Sequence, residues 1–237
     1  MDRTVFPTTH GTWLRTRVDD IDASAETRAA GRAARTEANA YVMQRYAGPL
    51  EIFVRGSSLA RLGEPAELVH GFFASRLSDA EFLRGWARSD MRLRRWLMNG
   101  MLFYGQGVAR DSARAAARGG AVEPRELDAR AGVDARGESE FERAWALAVV
   151  REATARVEAE LLAEGRAVEF EIFRRHAIDG QPYAVFAHEV GKSEQQCAGA
   201  TRLVAQRVRA ALAEVLREEG VPERELDDEI SRVRAVL

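Results

Sequence analysis

Apolar side chains recur at steps of three and four along most of the chain, and no stretch alternates convincingly with the period of two that marks a half-buried strand. Tyr41, Val42, Tyr46, Leu50, Ile52, Phe53 and Val54 predict a buried helix, with Pro49 bending or restarting it. Gly56 to Gly63 read as a loop. Pro65 suits the first turn of the next helix, which carries Leu68, Val69, Phe72, Phe73 and Leu77. Phe82, Leu83 and Trp86 make a short helix over 79–88, and a further one starts near Asp90. The stretch 119–138 holds Gly119, Gly120, Pro124, Gly132 and Gly137, and predicts a linker. Beyond it a long helix carries Trp145, Leu147, Ala148, Val150, Val157, Leu161 and Leu162 and stops at Gly165. Val168 to His176 form another. The tail repeats a small turn at Gly220-Val221-Pro222, turns acidic, and ends in a helix with Ile230, Val233, Val236 and Leu237. At the other end, Phe6 to His10 read as extended, Trp13-Leu14 as a short apolar anchor, and 22–40 as a weakly apolar helix or a linker.

Tyr183 to Arg209 is the stretch around which the chain is organised. Tyr183, Phe186, Ala187 and Val190 share one helical face, Gly191 ends that helix, and Ser193 caps the next. Cys197, Ala200, Leu203, Val204 and Val208 continue an apolar stripe. The plan is that of a helix-turn-helix, with Lys192, Gln195, Gln196, Gly199, Arg202 and Gln206 on the exposed side of the second helix. Spacing alone leaves two readings open, contact with DNA base edges and plain packing in a bundle. Gly191-Lys192-Ser193 is not the end of a phosphate-binding loop, since Phe186 stands where that motif needs its first glycine.

Charge narrows the picture. The chain has 237 residues and a net charge of -2, so any nucleic-acid contact must come from local patches. One such patch holds eight arginines against two aspartates between Arg84 and Arg118, interleaved with Trp86, Trp96, Phe103 and Tyr104. Arginine with stacking aromatics fits a single-strand groove, and equally a core helix with a solvated face. The single Cys197 excludes an intramolecular disulfide and fits a reducing cytosol. No apolar leader and no run of about 20 apolar residues occurs. Enzyme chemistry finds no foothold. The four histidines are scattered, no Cys pair or G-x-S-x-G is present, and Gly105-Gln106-Gly107 lacks a third glycine. No cofactor or metal is expected. Asp227-Asp228 reads as a solvated pair.

The expected fold is all-α: two helical domains joined by a flexible linker, the second containing the helix-turn-helix. This order of parts resembles the bacterial RNA polymerase sigma factors of the extracytoplasmic-function type, in particular the longer branch found in planctomycetes. The resemblance is carried by FPTTHGTWL at 6–14, YAGPLEIFVR at 46–55, ELVHGFFASRL at 67–77, FERAWALAVV at 141–150, YAVFAHEVGKSE at 183–194 and DDEISRV at 227–233. It implies an N-terminal extension over 1–35, a region-two-like domain over 36–118, a linker over 119–138, a region-four-like domain over 139–216 and an acidic tail helix over 217–237. It also implies binding to core RNA polymerase in the cytoplasm, recognition and opening of promoter DNA, and the inhibitory anti-sigma protein to which such factors often answer. By position, Glu67, Leu68, His70 and Phe73 fall in the polymerase-docking helix. Arg92, Arg94, Arg95, Trp96, Asn99 and Phe103 fall in the -10 and melting helix. Lys192, Glu194, Gln195, Gln196, Arg202 and Gln206 fall at the -35 reader. Three departures from the family pattern stand out: Ala66 and His70 in the docking helix, a reader made bare by Ala198, Gly199 and Ala200, and Gly105 and Gly107, which predict a break in the -10 helix. The alternative is a divergent helix-turn-helix regulator that binds DNA without initiating transcription.

Overall fold

The computed structural model describes Leu14, Arg15, Val18 and residues 28–119 and 135–237. The described residues are helical, with no strand among them. Helix α1 spans Arg28–Arg55, α2 Pro65–Arg76, α3 Ala80–Ala87 and α4 Leu93–Gly119. Helix α5 spans Ala135–Ala163, α6 Ala167–Phe173, α7 Tyr183–Phe186, α8 Glu194–Glu218 and α9 Leu226–Val236. No helix among the described residues is long and apolar enough to cross a membrane.

The helix signals act locally as their chemistry requires. Pro65 opens α2, where its missing N–H costs nothing. The Asp79 carboxylate caps α3 by accepting from the Glu81 amide at 2.9 Å. Gly165 ends α5, the left-handed φ of 73° being easy for glycine. Three expectations need correction. Helix α1 runs unbroken through Pro49. Its buried face, Ala38, Val42, Tyr46, Leu50 and Phe53, repeats mostly every four residues, and tertiary packing outweighs the one amide that proline removes. Helix α4 runs unbroken through Gly105 and Gly107. A Cβ at Gly105 would collide with Leu59, so that glycine admits a close neighbour rather than a break. The linker expected over 119–138 lies mostly outside the described residues, but Gly119 still belongs to α4, and 135–138 already belong to α5. The extended segment at 6–10 and Trp13 are also outside them, whereas Leu14 is buried.

One apolar cluster runs through the helices on both sides of that segment. Helix α5 lies between α1 and α8, and α9 touches both α5 and α8. Phe53 of α1 meets Phe141 of α5 edge to face, with centroids 6.2 Å apart. Two glycines let these helices approach, since a Cβ on Gly137 would sit 3.2 Å from the Gly56 carbonyl. The stripe of α5 is Phe141, Trp145, Val149, Ala153, Val157 and Leu161, while Leu147 and Leu162 are exposed. Phe72 of α2 is a second hub, in ring contact with Phe73, Phe82 and Tyr104.

Candidate nucleic-acid interface

Helix α6 passes into a wide π-helical turn over Arg174–Ile178, closed by the Asp179 amide on the Arg174 carbonyl at 3.0 Å. The chain then enters α7, which is a single turn instead of the helix expected to reach Val190. Hydrogen-bonded turns follow to Gly191, whose φ of 67° reverses the chain. Ser193 starts α8 with a reciprocal capping box: its hydroxyl accepts from the Gln196 amide, and the Gln196 side chain accepts from the Ser193 amide at 2.8 Å. A small separate core of Ile172, Phe186, Ala187 and Cys197 holds this corner together. Burial raises the Cys197 thiol pKa, as suits an apolar filler.

Lys192, Glu194, Gln195, Gln196, Arg202 and Gln206 are all exposed, at the start of α8 and along its outer side. Gly199 lies among them. Leu203, expected on the buried stripe, is 38% exposed, whereas Cys197 and Val204 are buried and Ala200 and Val208 pack against the cores from partly buried positions.

The α4 residues are placed differently. Arg92, just before α4, donates to Glu225 at 2.9 Å and to Glu229. Arg94 donates to Glu229 at 2.7 Å and to Glu142 at 3.1 Å, and its guanidinium lies 4.1 Å from the Trp145 ring centre. Arg95 pairs with Glu138. Trp96 packs on Phe82 at 5.7 Å, and Asn99 reaches the Met91 sulfur at 3.6 Å. Phe103 is 63% exposed. Of this set, then, Phe103 offers a broad open face, and the arginines at the start of α4 are held by carboxylates of α5, of α9 and of the turn before α9. On α2, Glu67 and His70 are exposed, whereas Leu68 and Phe73 belong to the core.

The carboxylates are the residues that sequence reasoning missed. The Glu229 side chain is 1% exposed. Burial pushes its pKa up, but the Arg94 and Arg92 guanidiniums outweigh burial and hold it below the ordinary value. A signal was present: Glu229 falls between Leu226, Ile230 and Val233 on the buried face of α9. A second polar knot joins α1 to the end of α8. Glu219 accepts from the hydroxyls of Tyr46 and Tyr41, the latter at 3.1 Å, and lies 3.2 Å from Arg45, which also pairs with Glu152. Burial raises the pKa of Glu219, of Tyr46 and of Tyr41. Arg156 closes the knot on Glu218 at 2.6 Å. No group of His, Cys, Asp and Glu suited to a metal ion occurs among the described residues. No protein-family model, no curated protein and no solved structure matches the chain.

Proposed function

We propose that this chain is a sigma factor that directs core RNA polymerase to promoters, reading the -35 element with α8 and opening the -10 element with α4. The observation that carries the reading is the exposed polar side of α8. Lys192, Gln195, Gln196, Arg202 and Gln206 stand at the start and on the outer side of a helix fixed by a capping box and a glycine turn. Amide and guanidinium groups on such a helix match the donors and acceptors of the major groove. The family-like stretches at 46–55, 67–77, 141–150, 183–194 and 227–233 supply the rest, and all five lie on helices or their adjoining turns. The mechanism is binding and DNA deformation, without covalent chemistry. Bases released from the -10 duplex would stack on aromatics such as Phe103, and arginines would hold the backbone. Run-off transcription with core polymerase on candidate promoters tests the reading. A promoter-specific transcript that disappears with R202A/Q206A is expected; folded protein that neither binds core polymerase nor yields a transcript would overturn it.

One observation favours a second reading, a regulator that binds duplex DNA through α8 without initiating: the arginines at the start of α4 are engaged inside the molecule. It predicts duplex binding that is indifferent to core polymerase.

A further inference from the structure

Arg92 and Arg94 converge on one carboxylate, Glu229, which is almost sealed from solvent. Two guanidiniums closing on one anion is the arrangement a phosphodiester would also satisfy. Glu225, one turn earlier, takes the remaining arm of Arg92. The segment that brings these carboxylates is held by apolar anchors, since Leu226, Ile230 and Val233 are buried in the shared core. The short turn at Gly220 to Pro222 ties it to the end of α8. Arg92 and Arg94 are not held equally. Both carboxylate partners of Arg92 come from 225–229, whereas Arg94 also has Glu142 and the Trp145 ring from α5.

From this geometry we infer that the C-terminal segment 223–236 is an internal competitor of nucleic acid: Glu225 and Glu229 occupy, as stand-ins for backbone phosphate, the positions that a single strand would take on Arg92 and Arg94. The inference rests on the sigma-factor reading for its biological sense, though the contact itself does not depend on it. The closed form described here is then the resting form. Access to the arginines at the start of α4 requires α9 to swing away, and Arg92 is the residue most fully released when it does.

The test uses the full chain and a fluorescein-labelled single-stranded oligodeoxynucleotide, with anisotropy read over a range of salt. E225Q/E229Q keeps the side-chain shapes and removes both charges. It should bind about fivefold tighter or more, with a slope of log affinity on log salt steeper by about 0.7, the contribution of one released phosphate contact on a single strand. Adding R92Q to that variant should abolish the gain. If E225Q/E229Q does not fold, E225R replaces it, since that side chain is 34% exposed and its reversal both breaks and repels the Arg92 contact. Unchanged affinity in a folded variant overturns the inference. Run-off transcription with core polymerase separates the two ideas. Tighter oligonucleotide binding with no transcript from any variant sustains the competitor and sinks the sigma-factor reading. A wild-type transcript with neither binding nor output raised in the variants does the reverse.

Discussion

Glu229 shows how one side chain can be costly to bury and still be required. Its carboxylate accepts from Arg92, Arg94 and Arg232, so losing its charge takes from two partly buried guanidiniums the carboxylate they share, and leaves Arg92 with Glu225 and Arg94 with Glu142. E229Q should therefore destabilise the protein at neutral pH by about 1.5–3 kcal/mol, measured by urea unfolding. The pH dependence follows from the sign of the shift. The folded pKa is lowered, so the ionised carboxylate stabilises the fold above the unfolded value of about 4.3, and that contribution is lost as pH falls through the folded value. The gap between wild type and E229Q should thus be full at pH 7 and shrink below pH ~4.3. Glu219 acts in the opposite sense. Its pKa is raised, chiefly by burial, so ionising it costs stability as pH rises, and E219Q should gain on the wild type from acid toward neutral pH. A gap for E229Q that is constant from pH 7 to pH 3 would show that Glu229 is not held as an anion.

Among the elements, what the sequence made legible was whatever depends on neighbours within one turn. Pro65 at the start of α2, Ser193 at the start of α8 and Gly165 at the end of α5 act where they were read, because a cap needs only its own backbone, whereas Gly191 reverses the chain after turns and not at the end of a helix. A restart at Pro49 and a break at Gly105 and Gly107 were misjudged, because a packed helix tolerates a local penalty of about 1 kcal/mol at glycine, or about 3 at proline, that an isolated one does not. The two glycines of α4 differ, and the difference is testable. At Gly107 an added methyl meets nothing within 4 Å, so G107A should raise stability by about 0.5–1 kcal/mol through helix propensity alone. At Gly105 the same gain is opposed by a collision with Leu59, and overpacking of ~1–3 kcal/mol should win. Thermal melts of the two variants should therefore move in opposite directions. If both rise, Leu59 yields easily and Gly105 is no packing requirement.

For the molecule as a whole, the sequence separated two helical groups by composition, yet nothing in composition could say that they pack on each other. That contact is made by pairs far apart in the chain: Phe53 with Phe141, Gly56 with Gly137, Arg45 with Glu152 and Glu219, Arg94 with Glu142 and Glu229. The exposed side of α8 was legible because an apolar stripe defines its own opposite face, whereas the occupied arginines of α4 looked open because their partners lie 43 to 137 positions away. A shared core has a thermodynamic signature. If α1 and α5 form one cooperative unit, heat should unfold 28–119 and 135–237 together, with calorimetric and van't Hoff enthalpies equal. Phe141 is fully buried against Phe53, so F141A should cost ~3–5 kcal/mol. At about 2–4 °C per kcal/mol for a chain of this size, the single transition should fall by roughly 6–20 °C without splitting. Tyrosine and tryptophan residues stand in both groups, so near-ultraviolet circular dichroism reports on each side of the contact. Two resolved transitions in the wild type would mean that the halves fold independently and only lean on one another. A single transition that F141A splits in two would mean that this contact, and not the polar knot at Glu219, is what couples them.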